Sequence, residues 1–413
     1  MRRINTIFFL LTCLPGISQA APVITDLTGT LSDNGAVTLT GTGFGAQGPT
    51  IHIYDNFEGG TAGADVDTTA TVGTWSGYGT NKPSFDNLSG YSGNLSMRVF
   101  DGTVGENDTQ IIQASFAPTT EFFVSYWLQI PAGTTFPGTD EPGKIPTLST
   151  IPTFGTSTWK LVWIFDEQGY LATCAPSCTS SGFTQDNDIV LPTHVGGQLG
   201  IKGNNTNAPF GDLQLTAASS NFDQLDSIFR FGQWVRMSVW IKANETDPLL
   251  PGSTVWTYSI PTANINVTKT NFTNQVFCGP PTVSCPSGGT KPPYQWTLMN
   301  FTGFTGNGRP DWSQTHPLFD EVYLATGPGA QARIEICEAP VFSDCDKFGY
   351  ITVASPANWN DTTITGVIQK GALADAEVQR SFAYVYDKDG SVNATGFPLC
   401  PNCALPPTNL QAE

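Results

Sequence analysis

Positive charge is scarce in this chain. Its 413 residues include 18 lysines and arginines against 35 aspartates and glutamates, for a formal net charge of −17, and only three histidines. An acidic surface repels polyanions at long range. That argues against a nucleic-acid partner and weighs against densely sulfated or uronate-rich glycans. Helical periodicity is nearly absent, with one short candidate turn at 222–228. Beyond the N-terminus no stretch is apolar enough to cross a membrane as a helix. No Gly-x-Ser-x-Gly elbow, phosphate loop or metalloprotease motif occurs.

The chain does have turns and short alternating segments. Gly occurs 43 times and Pro 30 times, while charged residues make up only 13%. Alternation between Gly, Pro, Asn and Asp clusters predicts strands at 37–41, 94–100, 121–130, 159–165, 198–202, 234–242, 254–260 and 319–325. That pattern is the signature of a sandwich or barrel, and the expected class is all-β, an antiparallel sandwich.

The first 20 residues read as a signal peptide of bacterial type. Arg2 and Arg3 precede a short apolar run at 4–14, and Ser18-Gln19-Ala20 supplies small residues for cleavage after Ala20. The expectation is a secreted or cell-surface protein with no membrane insertion after cleavage. Beyond Cys13, the cysteines fall into close pairs: Cys174 and Cys178, Cys278 and Cys285, Cys337 and Cys345, Cys400 and Cys403. In an exported chain this spacing predicts four disulfides pinning small loops. Zinc is the competing use of such pairs, but no histidine lies close to any of them.

The segment Val37-Thr38-Leu39-Thr40-Gly41-Thr42-Gly43-Phe44-Gly45 resembles the opening of an IPT/TIG domain, a small immunoglobulin-like fold. Trp359-Asn360-Asp361-Thr362-Thr363-Ile364 and the Asp389-Gly390 turn after Tyr384-Val385-Tyr386 resemble the second half of such a domain. The resemblance implies one module in two parts, 21–53 and 332–400, split by a jelly roll at 54–331, with a tail at 401–413. Two independent flanking modules are the alternative. Pro406-Pro407-Thr408-Asn409-Leu410 in the tail resembles the start of a fibronectin type III module.

The insert has recognisable ends. Asp55-Asn56-Phe57-Glu58-Gly59 and Phe319-Asp320-Glu321-Val322-Tyr323-Leu324 resemble the first and last strands of concanavalin A-like jelly rolls, the carbohydrate-binding modules and polysaccharide lyases. The resemblance implies a structural calcium held by Glu58 and Asp320, since calcium takes hard oxygen ligands. Two solvated surface acids are the plainer reading.

Parity then separates the faces of the middle strands. At 234–242, Val235, Met237, Val239 and Ile241 are core, while Trp234, Arg236, Ser238, Trp240 and Lys242 share the other side. Residues 121–130 divide likewise, with Phe123, Ser125, Trp127 and Gln129 on the mixed side. Aromatic rings beside hydrogen-bonding groups suit a sugar, so Trp127, Gln129, Arg236 and Trp240 are the expected glycan-binding residues. Tryptophans covered by loops would look the same in sequence.

Catalysis has less behind it. The E-x-D-x-x-E spacing of concanavalin-like glucanases is missing, and so are the R-x-E, Q-I-H and Y-F-K-A-G motifs of the alginate-lyase families. A lyase needs a base and a group that neutralises the uronate carboxylate. His194, Arg236, Gln129 and Arg98 are the candidates, His194 in an expected rim loop. A lyase is favoured over a hydrolase if the chain is an enzyme. The primary expectation is a jelly roll that binds polysaccharide or cell-surface glycan. A jelly-roll lyase and a non-catalytic component of an envelope or extracellular matrix are the alternatives.

Overall fold

The computed structural model describes residues 20–78, 82–99, 110, 112–129, 160–166, 189–195, 198–203, 213–214, 232–242, 253–260, 265–270, 296–301, 316–348 and 351–400. The described residues form three sheets, with antiparallel pairing throughout. Residues 1–19 of the expected signal peptide, the candidate turn at 222–228, the tail 401–413 and residues Cys174, Cys178, Cys278 and Cys285 lie outside them.

Two sheets make the sandwich. One, here the middle sheet, runs Ile265–Thr270, Ser253–Ile260, Trp234–Lys242, Glu121–Gln129, Leu318–Thr326, Thr50–Asp55 and Val72–Gly73. The short strands Ser84–Asp86 and Ser96–Arg98 attach to it beside Leu318–Thr326. The other, the outer sheet, runs Leu213–Gln214, Gln198–Gly203, Ile189–Val195, Lys160–Asp166, Trp296–Phe301, Ile112–Thr119 and Gly77–Tyr78. Between them lies an aromatic-rich core. Phe122 meets Trp296 edge-on at 5.0 Å, and Tyr126 meets Phe301 at 5.9 Å. Opposite each other in register, Val235 and Leu128, Met237 and Tyr126, Val239 and Val124, and Ile241 and Phe122 fill the same layer. Each such side chain contributes about 1.5–3 kcal/mol by leaving water.

The third sheet joins the two ends of the chain. Its order is Val23–Gly29, Ala36–Thr42, Thr363–Val367, Ile351–Trp359, Arg333–Cys337, Phe382–Tyr386 and Phe397–Pro398. Ile24, Val37, Leu39 and Phe44 share one apolar cluster with Ile334, Ile336, Ile364, Ile368 and Val385. The glycine-rich segment meets the tryptophan segment directly. Gly41 and Phe44 donate backbone hydrogen bonds to Thr362 and Asp361 (2.9 and 3.2 Å), Gly45 donates to the Asp361 carboxylate (3.1 Å), and Trp359 Nε1 donates to the Phe44 carbonyl (3.0 Å). Gly43 and Gly45 turn the chain there at φ of +75° and +84°, where a side chain would be strained.

One strand serves two cores. In Arg333–Cys337, Ile334 and Ile336 point into the small apolar cluster. Arg333, Glu335 and Cys337 point the other way, onto the middle sheet. The molecule is therefore layered as outer sheet, middle sheet and third sheet. Cys337 and Cys345 form a disulfide that ties this strand to the helix Phe342–Phe348. Cys400 is also disulfide-bonded.

Candidate functional site

The expected glycan platform lies on the middle sheet. Arg236 stands opposite Trp127, Trp240 opposite Phe123, and Trp234 opposite Gln129, so these residues share one face. That face is covered. Trp127 is 2% exposed and Arg236 4%. Tyr91 stacks on Trp127 with ring centroids 3.6 Å apart, and Cys337, Ala339, Cys345 and Tyr384 pack around it. The Arg236 guanidinium donates to Glu335 at 2.8 Å, and Arg333 Nε donates to the same oxygen at 2.7 Å. Arg333 itself lies over Phe123 (4.4 Å) and Tyr386 (3.4 Å). Burial alone would push the Glu335 carboxyl up, but Arg236 and then Arg333 outweigh it and hold the group at about 2. The open groove expected from parity is therefore corrected at Trp127 and Arg236, which belong to a packed interface with the third sheet. Gln129 and Trp240 are only half-buried. Even so, Trp240 Nε1 donates to the buried Glu121 (2.9 Å), and Gln129 reaches the Gly232 carbonyl (3.4 Å).

The four lyase candidates do not converge. Arg98 pairs with Asp86 (3.6 Å) and donates to Ser84 (3.2 Å) on the short strands of the middle sheet. Arg236 is committed to Glu335. His194 is on the outer sheet, in the strand Ile189–Val195 opposite Leu199, not in a rim loop. The Pro192 before it misled the sequence reading, because proline is uncommon inside strands.

Glu58 and Asp320 hold one loop between them. Asp320 is fully buried; its Oδ2 accepts the Tyr91 and Ser92 N–H groups (2.8 and 2.9 Å), and its Oδ1 accepts the Glu321 N–H (2.7 Å) and the Ser92 hydroxyl (3.2 Å). Burial, then neighbouring Glu321, pushes its carboxyl well above the usual range. Glu58 Oε1 accepts the Asn94 and Leu95 N–H groups (2.8 and 2.6 Å), and Gly93, at φ +69°, leaves room for the carboxylate. The donors of the 91–95 loop thus compensate both acids. The pair fits a hard cation only through Glu58 Oε2, which takes no hydrogen bond among the described residues.

The outward face of the outer sheet carries a second polar group of side chains. Met299 and Phe301 point inward, as do Ile112 and Ala114, all of them buried. Alternation therefore puts Asn300, Gln113 and Ser115 on the outward side. Asn300 and Gln113 stand directly opposite each other, and Trp163 holds the register position on the other flank of Asn300. Gln113 is half-buried and Ser115 exposed, with Ser115 joined to Ser76 through a 2.8 Å hydroxyl contact. Asn300 is 5% exposed, so this position is covered as closely as Arg236 is, and its Oδ1 meets no donor among the described residues. Sequence reading missed this row because 112–119 and 296–301 were not among the expected strands. The alternation Ile112-Gln113-Ala114-Ser115-Phe116 was the available signal.

No family model matches the chain, and no curated protein matches it. Among solved structures, an alginate lyase mutant in complex with alginate tetrasaccharide aligns at 11% identity and a TM-score of 0.37, covering 68% of this chain and 98% of that one. A cellulose-induced protein aligns at 15% identity and a TM-score of 0.33, covering 67% and 98%. An alginate lyase from Aplysia kurodai aligns at 8% identity and a TM-score of 0.36, covering 64% and 97%.

Proposed function

We propose that this chain is an exported glycan-binding protein whose ligand face is the outward side of the outer sheet, around Gln113, Ser115 and Asn300. The observation that carries this reading is the half-buried Gln113 and the exposed Ser115 side by side on that face, with Asn300, itself covered, standing opposite Gln113. Neutral amides and hydroxyls suit a neutral or weakly acidic glycan, in keeping with the acidic chain. The middle-sheet face is the poorer choice, because the third sheet already occupies it.

Binding without catalysis fits this placement better than a lyase. Val190 shares the Asn300 row through Trp163, and His194 lies four residues further along that strand. That is about 13 Å at ~3.3 Å per residue, too far for a base and a neutralising amide to serve one uronate.

The flanking parts 21–53 and 332–400 then act as one immunoglobulin-like module interrupted by the jelly roll. The shared sheet and apolar cluster support this reading. Calcium at Glu58 and Asp320 is a further part of it, tested by whether chelation lowers the melting temperature and whether Glu58→Gln removes that response.

Glycan-array binding of wild type and of a Gln113→Ala/Asn300→Ala double variant tests the ligand face. The expected result is a loss of about tenfold or more in a variant that remains folded, with some lowering of the melt from truncating the buried Asn300. Equal binding by both proteins, or no binding by wild type, refutes it. Release of unsaturated uronate from a polyuronate would favour the lyase.

A further inference from the structure

The turn that closes the third sheet reads Asp387-Lys388-Asp389-Gly390-Ser391, and its acceptors outnumber its donors. Asp387 is fully buried. Its Oδ1 accepts the Asp389 and Ser391 N–H groups (2.9 and 2.8 Å), which winds the chain around the carboxylate. Its backbone N–H donates to the Ser391 carbonyl (2.9 Å), and the Gly390 N–H to the Asp387 carbonyl (3.1 Å). The other oxygen, Oδ2, is buried and meets no donor.

A second orphan lies at the same turn. Gly390 has φ +82°, and the Gln331 amide lies so close that a Cβ there would sit 2.4 Å from its Nε2 and 3.0 Å from its Oε1. Gln331 is 5% exposed, and that Oε1 also lacks a partner. Burying two acceptor oxygens at one turn with no donor for either is unfavourable unless something positive lies between them.

We propose that this turn is a calcium site formed by Asp387 Oδ2, the Asp389 carboxylate and Gln331 Oε1, with Ser391 Oγ in reach of the same centre. The donor set is all hard oxygen, which selects calcium over the softer transition metals. Asp387, Asp389 and Ser391 are alternate residues of one turn, and the other Asp387 oxygen, Oδ1, ties the backbone. The Asp389 carboxylate now accepts the Lys388 ammonium (2.7 and 2.8 Å). That pair is largely exposed and worth little, so an ion displaces Lys388 at small cost. The nearby Arg333 directs its charge to Glu335. With two carboxylates rather than three, the affinity belongs in the weak range, Kd about 10⁻⁴–10⁻³ M.

Calcium chloride is titrated calorimetrically into chelator-stripped full-length protein. Wild type, Glu58→Gln, Asp387→Asn and the double variant Glu58→Gln/Asp389→Asn are compared. Wild type and Glu58→Gln should bind, and Asp389→Asn added to Glu58→Gln, which removes the other proposed site, should weaken the remaining binding about tenfold or more. Asp389 is exposed, so its variant folds even if Asp387→Asn does not. Equal affinity in Glu58→Gln and the double variant overturns the proposal, as does the absence of binding to wild type. Binding lost already in Glu58→Gln also overturns it and assigns the ion to the Glu58 and Asp320 loop.

Discussion

Glu335 sits between two guanidinium groups with almost no access to water. Replacing it with Gln leaves Arg236 and Arg333 short of a counter-charge in the interface, and should destabilise the protein by about 3–5 kcal/mol in a denaturant melt. The acid limb checks the same point. The folded value of about 2 lies below the ordinary 4.5, so the contribution is fully present above pH 4.5 and is lost as pH falls toward 2. Glu335→Gln should flatten that limb. Asp55 has the opposite sign. Burial raises it from 3.8 to about 6, against hydrogen bonds from Trp75 and Phe57, so its contribution is present below 3.8 and lost as pH rises through 6. Asp55→Asn should remove the loss of stability between those values. Trp127→Ala should cost about 3–5 kcal/mol, because it opens a cavity under Tyr91 and Tyr384.

Strand by strand, the sequence was most legible where alternation was strict. Residues 234–242 and 121–129 have the faces that parity assigns, because one side of each is wholly apolar. What parity cannot supply is the identity of the cover. The mixed face looked like a groove because Arg236 and Trp127 are unusual core residues, yet their partners, Glu335 and Tyr384, lie far along the chain. The reverse signal was in Arg333–Cys337, where charged residues alternate with isoleucines. Such a strand between two packed layers must send its charges to a partner. The row at Gln113 and Asn300 was harder to find for a different reason: alternation marks Gln113 and Ser115 as one face of a strand, but short polar side chains carry no compositional mark of a site. A chain lacking residues 20–49 would lose Val37, Leu39 and Phe44 from the small cluster. Amide exchange in Thr363–Val367, which pairs with Ala36–Thr42, should then rise sharply compared with the sandwich strands.

Taken whole, the molecule stacks three β layers, and the middle one is covered on both sides. One face carries the sandwich core, and the other carries the Arg236–Glu335–Arg333 contact and the Trp127 aromatic cluster. The proposed ligand face is on the outer sheet. The most direct measurement is a glycan-binding titration of Gln113→Ala/Asn300→Ala beside Trp240→Ala, with melts recorded for both. The double variant should lose about tenfold or more in affinity while remaining folded, and Trp240→Ala, freed from Glu121, should keep wild-type affinity. Loss of binding in a folded Trp240→Ala, with the double variant binding as wild type does, would contradict this placement and return the ligand to the middle sheet.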